Sequence, residues 1–262
     1  MLIYERQERL LDILRQRRAA QLEDLARELG VSLSTARRDV EHLESRGLVE
    51  RTHGGAVFRG EPQGTGMQAP GRPAMSGAAL TTRMGERVAA KQAIGRYAAS
   101  LIKPQMTVLF DGGSTVIYAA QQVTARPIQV VTNSLAIAGL FHDDERVELV
   151  LAGGMLYPRT GVTVGPIAVG TLAELHADLL LFSLAGVYED DAYNINLTMA
   201  QTEQAMLRQA ARKVLLMDSS KFGQKSLSRV CALQEVDAVV TDEGVAEAWR
   251  RRLGSKLVVV GG

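Results

Sequence analysis

Through the first sixty residues, apolar side chains recur at three- and four-residue spacing, with charged residues between them. Leu10, Ile13 and Leu14 share one face of a predicted helix over 4–16. Leu22, Leu25, Ala26 and Leu29 predict a second, shorter helix, and Gly30 permits a sharp turn after it. Val31 can plug the angle, and the hydroxyl of Ser32 suits the N-cap of a third helix from about Leu33 to Ser45. Ala36, Val40 and Leu43 of that helix point inward. The helical period then stops. Residues 48–51 and 56–58 read as two short strands around Thr52-His53-Gly54-Gly55, whose paired glycines permit a turn. A helix, a turn, a second helix and a strand pair describe a helix-turn-helix with a wing.

Residues 60–80 are rich in Gly, Pro and Ala and carry no period, which predicts a flexible linker. A helical pattern returns from Thr82 to Ile102. Beyond Thr107, short apolar runs at 108–111, 129–132, 147–154, 179–186, 214–223, 238–241 and 257–260 alternate with helical stretches, among them 200–212 and 243–253. Strands alternating with helices of roughly ten residues predict a mostly parallel sheet covered on both faces. Residues 187–197, an acidic stretch after the fourth strand, read either as a lid touching a ligand through Asn194 or Asn196, or as a solvated loop. The expected organisation is an α/β protein with a DNA-binding domain over 1–59, a linker over 60–80, and an effector-binding and oligomerisation domain over 81–262.

Charge changes this picture little. The net charge is +1, and residues 1–60 hold 11 Arg against 10 Asp or Glu, so only the placement of charge can argue for DNA. Cys231 is the single cysteine, which excludes an intrachain disulfide and predicts a buried, inert thiol. The N-terminus lacks the apolar segment of a signal peptide and no run is long enough to span a bilayer, so residence in the cytoplasm is expected, without membrane contact. The histidines form no metal pattern, and neither GxGxxG nor GxxxxGK[ST] follows the first long strand, so no metal or nucleotide cofactor is expected.

Two sets of residues carry candidate chemistry. Ser34 and Thr35, near the start of the third helix, can hold a phosphate together with free backbone N–H groups. Arg37 is assigned a base edge and Arg38 a phosphate, and Ser32, Arg51, His53, Gly54 and Gly55 complete a DNA-contacting set. In the second domain the polar motifs all fall at strand carboxyl ends, where ligands bind in such folds. Gly113, Ser114 and Thr115 offer N–H groups and hydroxyls to a phosphate monoester, and Lys221 can neutralise it. Asp111, Thr132, Asn133, Gly154 and Asp218 complete the expected site, the carboxylates and Asn133 suiting the hydroxyls of a polyol.

The segment VSLSTARRDVEHLESRGLVERTHGGA, Val31 to Ala56, resembles the VSxxTxRRDxxxLExxGxxxRxHGGA hallmark of DeoR-type bacterial transcriptional regulators. Ala36 stands where that family usually carries a larger aliphatic residue. DGGST at 111–115 resembles the family's D(S/A)G(S/T)T loop, and VTNS, LAGG and DSSKFG resemble its later signatures in the same order. The resemblance implies a sensor domain similar in fold to ribose-5-phosphate isomerase that binds a phosphorylated sugar or related metabolite. It implies a homo-oligomer, dimer or tetramer, bound to double-stranded operator DNA as a repressor of a carbohydrate-utilisation operon. Glu203 stands where many members carry lysine. The rival readings are a DNA-binding regulator without small-molecule input, and a sugar-phosphate isomerase using Asp111 or Asp218 as base and Lys221 to stabilise an enediolate.

Overall fold

A computed structural model describes residues 3–45, 49–52, 54–58 and 79–261. The chain divides into two compact units at Gly71. In the first, helices α1 (Ile3–Arg17), α2 (Leu22–Leu29) and α3 (Leu33–Ser45) pack with strands β1 (Ala19–Gln21), β2 (Val49–Thr52) and β3 (Gly55–Phe58). Leu10, Leu14, Leu25, Ala36, Val40 and Leu43 are all buried at the centre, as the apolar spacing requires. Gly30 closes α2 in the left-handed region at φ 65°. The Ser32 hydroxyl accepts a hydrogen bond from the Thr35 N–H at 3.2 Å, capping α3. Strand β1 is an addition to the predicted wing: it pairs with β3, giving the order β1-β3-β2. Three residues are too few for a period to show in the sequence.

The second unit opens with α4 (Leu80–Gly85) and α5 (Val88–Ser100). One helix over 82–102 was the expectation. The chain breaks it at Arg87, which sits at φ 49°, and the Lys91 ammonium turns back to donate to the carbonyl oxygens of Arg83 and of Glu86, the latter at 2.7 Å. A buried lysine on α5 thus supplies the donors that the end of α4 lacks. Then follow β4 (Thr107–Phe110), α6 (Ser114–Ala120), β5 (Ile128–Thr132), α7 (Leu135–Phe141), β6 (Val147–Leu151), β7 (Met155–Tyr157), β8 (Val162–Val164), α8 (Pro166–Ala173) and β9 (Ala177–Phe182). The chain ends with β10 (Gly186–Tyr188), β11 (Asp191–Asn194), α9 (Leu197–Gln209), β12 (Ala210–Leu216), β13 (Ser228–Ala232), β14 (Ala238–Asp242), α10 (Glu247–Leu253) and β15 (Leu257–Val260).

Each of the seven predicted apolar runs contributes a strand to one sheet of order β15-β14-β12-β9-β4-β5-β6, parallel throughout. Alternate residues serve opposite faces. Val108, Phe110, Leu179 and Leu181 pack with Ile94, Ile117 and Phe141 on one side. Leu109, Leu180 and Phe182 pack with Leu172 and Met206 on the other. Burial on both faces explains why these strands read as continuous apolar runs. From β4 the chain winds outward through β5 to β6, then returns to place β9 on the other side of β4 and winds outward again. The direction of winding therefore reverses between β4 and β9, and such a switch point opens a crevice at the strand carboxyl ends.

Residues 187–197 are neither open lid nor solvated loop. They form the antiparallel hairpin β10–β11, which pairs with β13 and buries Ala192, Tyr193 and Asn194. The runs predicted at 147–154, 179–186 and 214–223 end earlier as strands, at Leu151, Phe182 and Leu216, because their polar tails turn away at the sheet's rim. No helix among the described residues is long and apolar enough to cross a membrane.

Candidate functional site

In the first unit, burying Ala36, Val40 and Leu43 turns the other side of α3 outward, and Leu33, Ser34, Arg37 and Arg38 are exposed there. Neither Arg37 nor Arg38 forms an ion pair with a described residue, so both guanidinium groups face solvent uncommitted. Ser32 is engaged as the cap, and its hydroxyl also lies 2.9 Å from that of Ser34 and 2.8 Å from that of Thr35. Arg51, on β2, is held by Glu41 at 2.8 Å, and its N–H donates to Glu44, so it braces the wing against α3. Gly54 lies at φ 91°. A Cβ on Gly55 would fall 2.5 Å from the Ala20 carbonyl oxygen, so this glycine admits β1 beside β3. His53 lies outside the described residues, as does nearly all of the predicted linker; its last residue, Leu80, opens α4.

Asp39, which follows the two arginines, gave no sign of its task in the sequence. It is buried, and accepts from Arg6 Nε at 2.6 Å, Arg6 Nη2 at 3.2 Å and Gln7 Nε2 at 3.1 Å. This bidentate bond ties α1 to α3 and fixes the rotation of the helix that carries Arg37 and Arg38.

In the second unit a cavity of about 520 Å³ opens at the switch point, beyond the ends of β4, β9 and β12. Of the expected rim residues, Asp111, Gly113, Ser114, Thr115, Asp218 and Lys221 line it. Asp111 Oδ2 accepts from the N–H groups of Gly113 and Ser183, each at 3.2 Å, joining the loops after β4 and β9. Burial pushes the Asp111 carboxyl above the usual range, against these bonds and the field of Arg83. Asp218 accepts from the Ser220 N–H at 3.1 Å and from its hydroxyl, and lies 3.5 Å from Arg87 Nε.

Thr132, Asn133 and Gly154 do not line the cavity. The Thr132 hydroxyl donates to the Phe110 carbonyl at 2.8 Å and accepts from the Ser134 N–H, locking β5 to β4. Asn133 Nδ2 donates to the Thr163 carbonyl at 2.8 Å, which holds β8. Gly154, at φ 147°, has the Val164 carbonyl oxygen 2.8 Å from where a Cβ would stand. Polar residues at a rim serve the loops as readily as a ligand, and sequence alone gives no separation between the two.

The cavity also holds groups outside the expected rim set. Arg83 from α4, Arg87 from the α4–α5 break and Lys91 from α5 bring cations; Asn194, one of the two ligand contacts expected of the 187–197 segment, lines it from β11, and Glu203 lines it from α9. Glu203 is 3% exposed, accepts from Asn194 Nδ2 through Oε1, and has no partner for Oε2. Burial first, and then the nearby Asp111 carboxyl, raise it well above the ordinary carboxylate range. Arg83 is likewise buried at Nε and Nη2 without a partner for either, and burial lowers its pKa against the pull of Asp111 and Glu203. For Glu203 the one visible signal is the resemblance, which implies lysine at that position. Asn196, the other expected ligand contact of the 187–197 segment, instead caps α9 by accepting from the Met199 N–H at 3.0 Å.

Cys231 is buried and its thiol is pushed up to about 12 by burial, which removes it from thiolate chemistry. Among the described residues no group of three His, Cys, Asp or Glu is arranged to hold a metal ion.

Residues 6–61 match the model of the DeoR-like helix-turn-helix domain, and residues 86–243 match that of the DeoR C terminal sensor domain. The chain is 32% identical over 239 residues to the L-fucose operon activator of Escherichia coli (strain K12), covering 91% of this chain and 94% of that protein. It is also 32% identical over 238 residues to the HTH-type transcriptional repressor GlcR of Bacillus subtilis (strain 168), covering 91% and 88%. Among solved structures, ribose 5-phosphate isomerase A from Methanocaldococcus jannaschii aligns with 50% of this chain and 53% of its own, at 19% identity and a TM-score of 0.36. With both domain models matched in order and such relatives along nearly its whole length, the chain belongs to the DeoR family: it is a regulator of transcription and not an enzyme.

Proposed function

We propose that this regulator represses a carbohydrate-utilisation operon and is released from its operator by a phosphorylated sugar bound in the switch-point cavity. The observation that carries the proposal is the chemistry of that cavity. Ser114 and Thr115 hydroxyls stand there with the cations Arg87, Lys91 and Lys221, as a phosphate monoester requires, and Asp111, Asn194 and Glu203 face them as acceptors and donors for sugar hydroxyls. Arg37 reads a base edge, Arg38 grips a phosphate, and Ser34, Thr35 and the wing around His53, Gly54 and Gly55 steady the head on the duplex. The DNA-binding domain spans 1–59, the linker 60–80 and the effector domain 81–262.

Helix-turn-helix heads read paired half-sites, so the chain works as a homo-oligomer, a dimer or tetramer assembled through its sheet domain, in the cytoplasm. The effector changes the spacing of the heads by binding one arrangement of that oligomer more tightly than another. Sedimentation of the protein alone and on operator duplex tests the paired-head element. A monomer that binds operator tightly would remove it. A thermal-shift screen tests the effector, since a ligand of the native state must raise the melting temperature. No rise with any sugar phosphate would favour a regulator without small-molecule input.

A further inference from the structure

The inner wall of the cavity carries an unbalanced set of buried groups. Arg83 presents its Nε and Nη2, one edge of the guanidinium, buried and without a partner. This is the edge with which Arg6 grips Asp39 in the other unit, so its preference for two oxygen acceptors is displayed within the same chain. Facing the same space are two carboxyl groups, Asp111 and Glu203, 5% and 3% exposed. Asp111 is engaged by backbone N–H groups, whereas Glu203 Oε2 has nothing to accept from. No ion pair joins Arg83 to either carboxyl, although each feels the other's field. One guanidinium therefore stands near two carboxyls, and Glu203 Oε2 is left without a hydrogen-bond partner.

The other wall has no such lack. Lys91, Arg87 and Lys221 outnumber the carboxylates beside them, Asp218 and Glu86, so an anionic group is drawn to that side and repelled from Glu203. Arg83 lies within the field of Asp111 and Glu203, so its open edge suits uncharged oxygens, a ring oxygen or hydroxyls, better than a second anion. Between the walls lies a space of about 520 Å³, within the range of small-molecule sites.

Resting on the phosphorylated-sugar reading, we infer that the effector is an amino-sugar phosphate, its ammonium group seated on Glu203 Oε2 beside Asp111, its neighbouring oxygens on the Arg83 edge, and its phosphate on the Lys91–Lys221 side. The ammonium supplies the partner that Glu203 Oε2 lacks, and its charge offsets the burial and the Asp111 field that oppose ionisation of Glu203. A hydroxyl in its place supplies the donor alone and leaves the second carboxylate uncompensated, or protonated.

The test is calorimetric titration of the full chain with pairs of ligands that differ only in this group: glucosamine 6-phosphate against glucose 6-phosphate, and galactosamine 6-phosphate against galactose 6-phosphate. Within at least one pair the amino sugar should bind on the order of 30-fold more tightly, the lower end expected for a buried charge that gains or loses its partner. Glu203→Gln keeps an oxygen for Asn194 and removes the charge; it should bring the two members of the pair to within a few-fold of each other. Equal binding within each pair, a preference for the hydroxyl sugar, or a preference that survives Glu203→Gln would overturn the inference and leave the phosphorylated-sugar reading standing. Failure of every sugar phosphate to bind would overturn both.

Discussion

Gly112 lines the cavity beside Gly113, Ser114 and Thr115, and two explanations compete for it. A glycine there can let a ligand approach the backbone, or it can admit a neighbouring strand. A Cβ at Gly112 would lie 2.1 Å from Val162 Cγ1 and 3.3 Å from Ser134 Cβ. Carbon atoms pack at about 3.5–4.0 Å, so Val162 would have to retreat by roughly 1.4 Å or more. It has nowhere to go: Val162 is 2% exposed on β8, and β8 is held by the hydrogen bond from Asn133 to Thr163. Overpacking of this kind costs about 1–3 kcal/mol. In a unit of this size each kcal/mol lowers the melting temperature by about 2–4 °C, so Gly112→Ala should melt about 2–12 °C below the parent. Gly153→Ala is the control, since nothing lies within 4 Å of its Cβ and its φ is not left-handed; it should stay within about 0.5 kcal/mol. Calorimetric melting of the three proteins, with and without a sugar phosphate, decides the matter. If Gly112→Ala melts like the parent yet no longer responds to ligand, the glycine serves the ligand and the packing argument is wrong.

Three further perturbations address other elements. Arg37→Ala should cost about 1–3 kcal/mol on operator and little on random duplex, whereas Arg38→Ala should weaken both about equally and flatten the salt dependence; fluorescence anisotropy at several salt concentrations reads this, and the reverse pattern would mean that α3 presents a different edge. Lys91→Met strips the carbonyls of Arg83 and Glu86 of their donor and should cost about 1–3 kcal/mol in urea unfolding, with weaker effector binding because α4 carries Arg83; unchanged affinity would detach the α4–α5 break from the site. The folded state raises the Glu203 carboxyl above its unfolded value, so its contribution favours folding most at low pH and is lost as pH rises through the folded value. Glu203→Gln should therefore gain in melting temperature over the parent as pH rises from about 5 to 8, and a difference independent of pH would show that this carboxyl does not titrate with folding.

What the sequence carried and what it withheld divide along physical lines. The five inner strands of the parallel sheet were legible because burial on both faces makes them largely continuous apolar runs, and the half-buried edge strands β6 and β15 because their short runs are still mostly apolar. Gly30, Ser32 and the inward set Ala36, Val40 and Leu43 were legible because caps and helical faces are local features. Strand β1 and the β10–β11 hairpin were not, since a three-residue strand has no period and the hairpin's acidic residues disguise the buried Ala192 and Tyr193. For the cavity, the loop after β4 and Asp218-Ser219-Ser220-Lys221 follow strands and could be found by position along the chain. Arg83, Lys91 and Glu203 sit within helices, where charged side chains ordinarily face water. Only the break at Arg87 and the packing of α9 on the sheet turn them inward. Thr132 and Asn133 mark the converse error: they stand at the right place in the sheet and spend their hydrogen bonds on Phe110 and Thr163.

The central claim is that one cavity, read by a phosphorylated sugar, governs the grip of the head on DNA. Its most direct test is titration of the full chain on duplex from its own upstream region, at fixed salt, with and without a panel of sugar phosphates and their amino counterparts. Tight binding to that duplex and release by one compound of the panel are expected, with release lost in a variant that cannot bind it. Tight binding indifferent to every compound would contradict it.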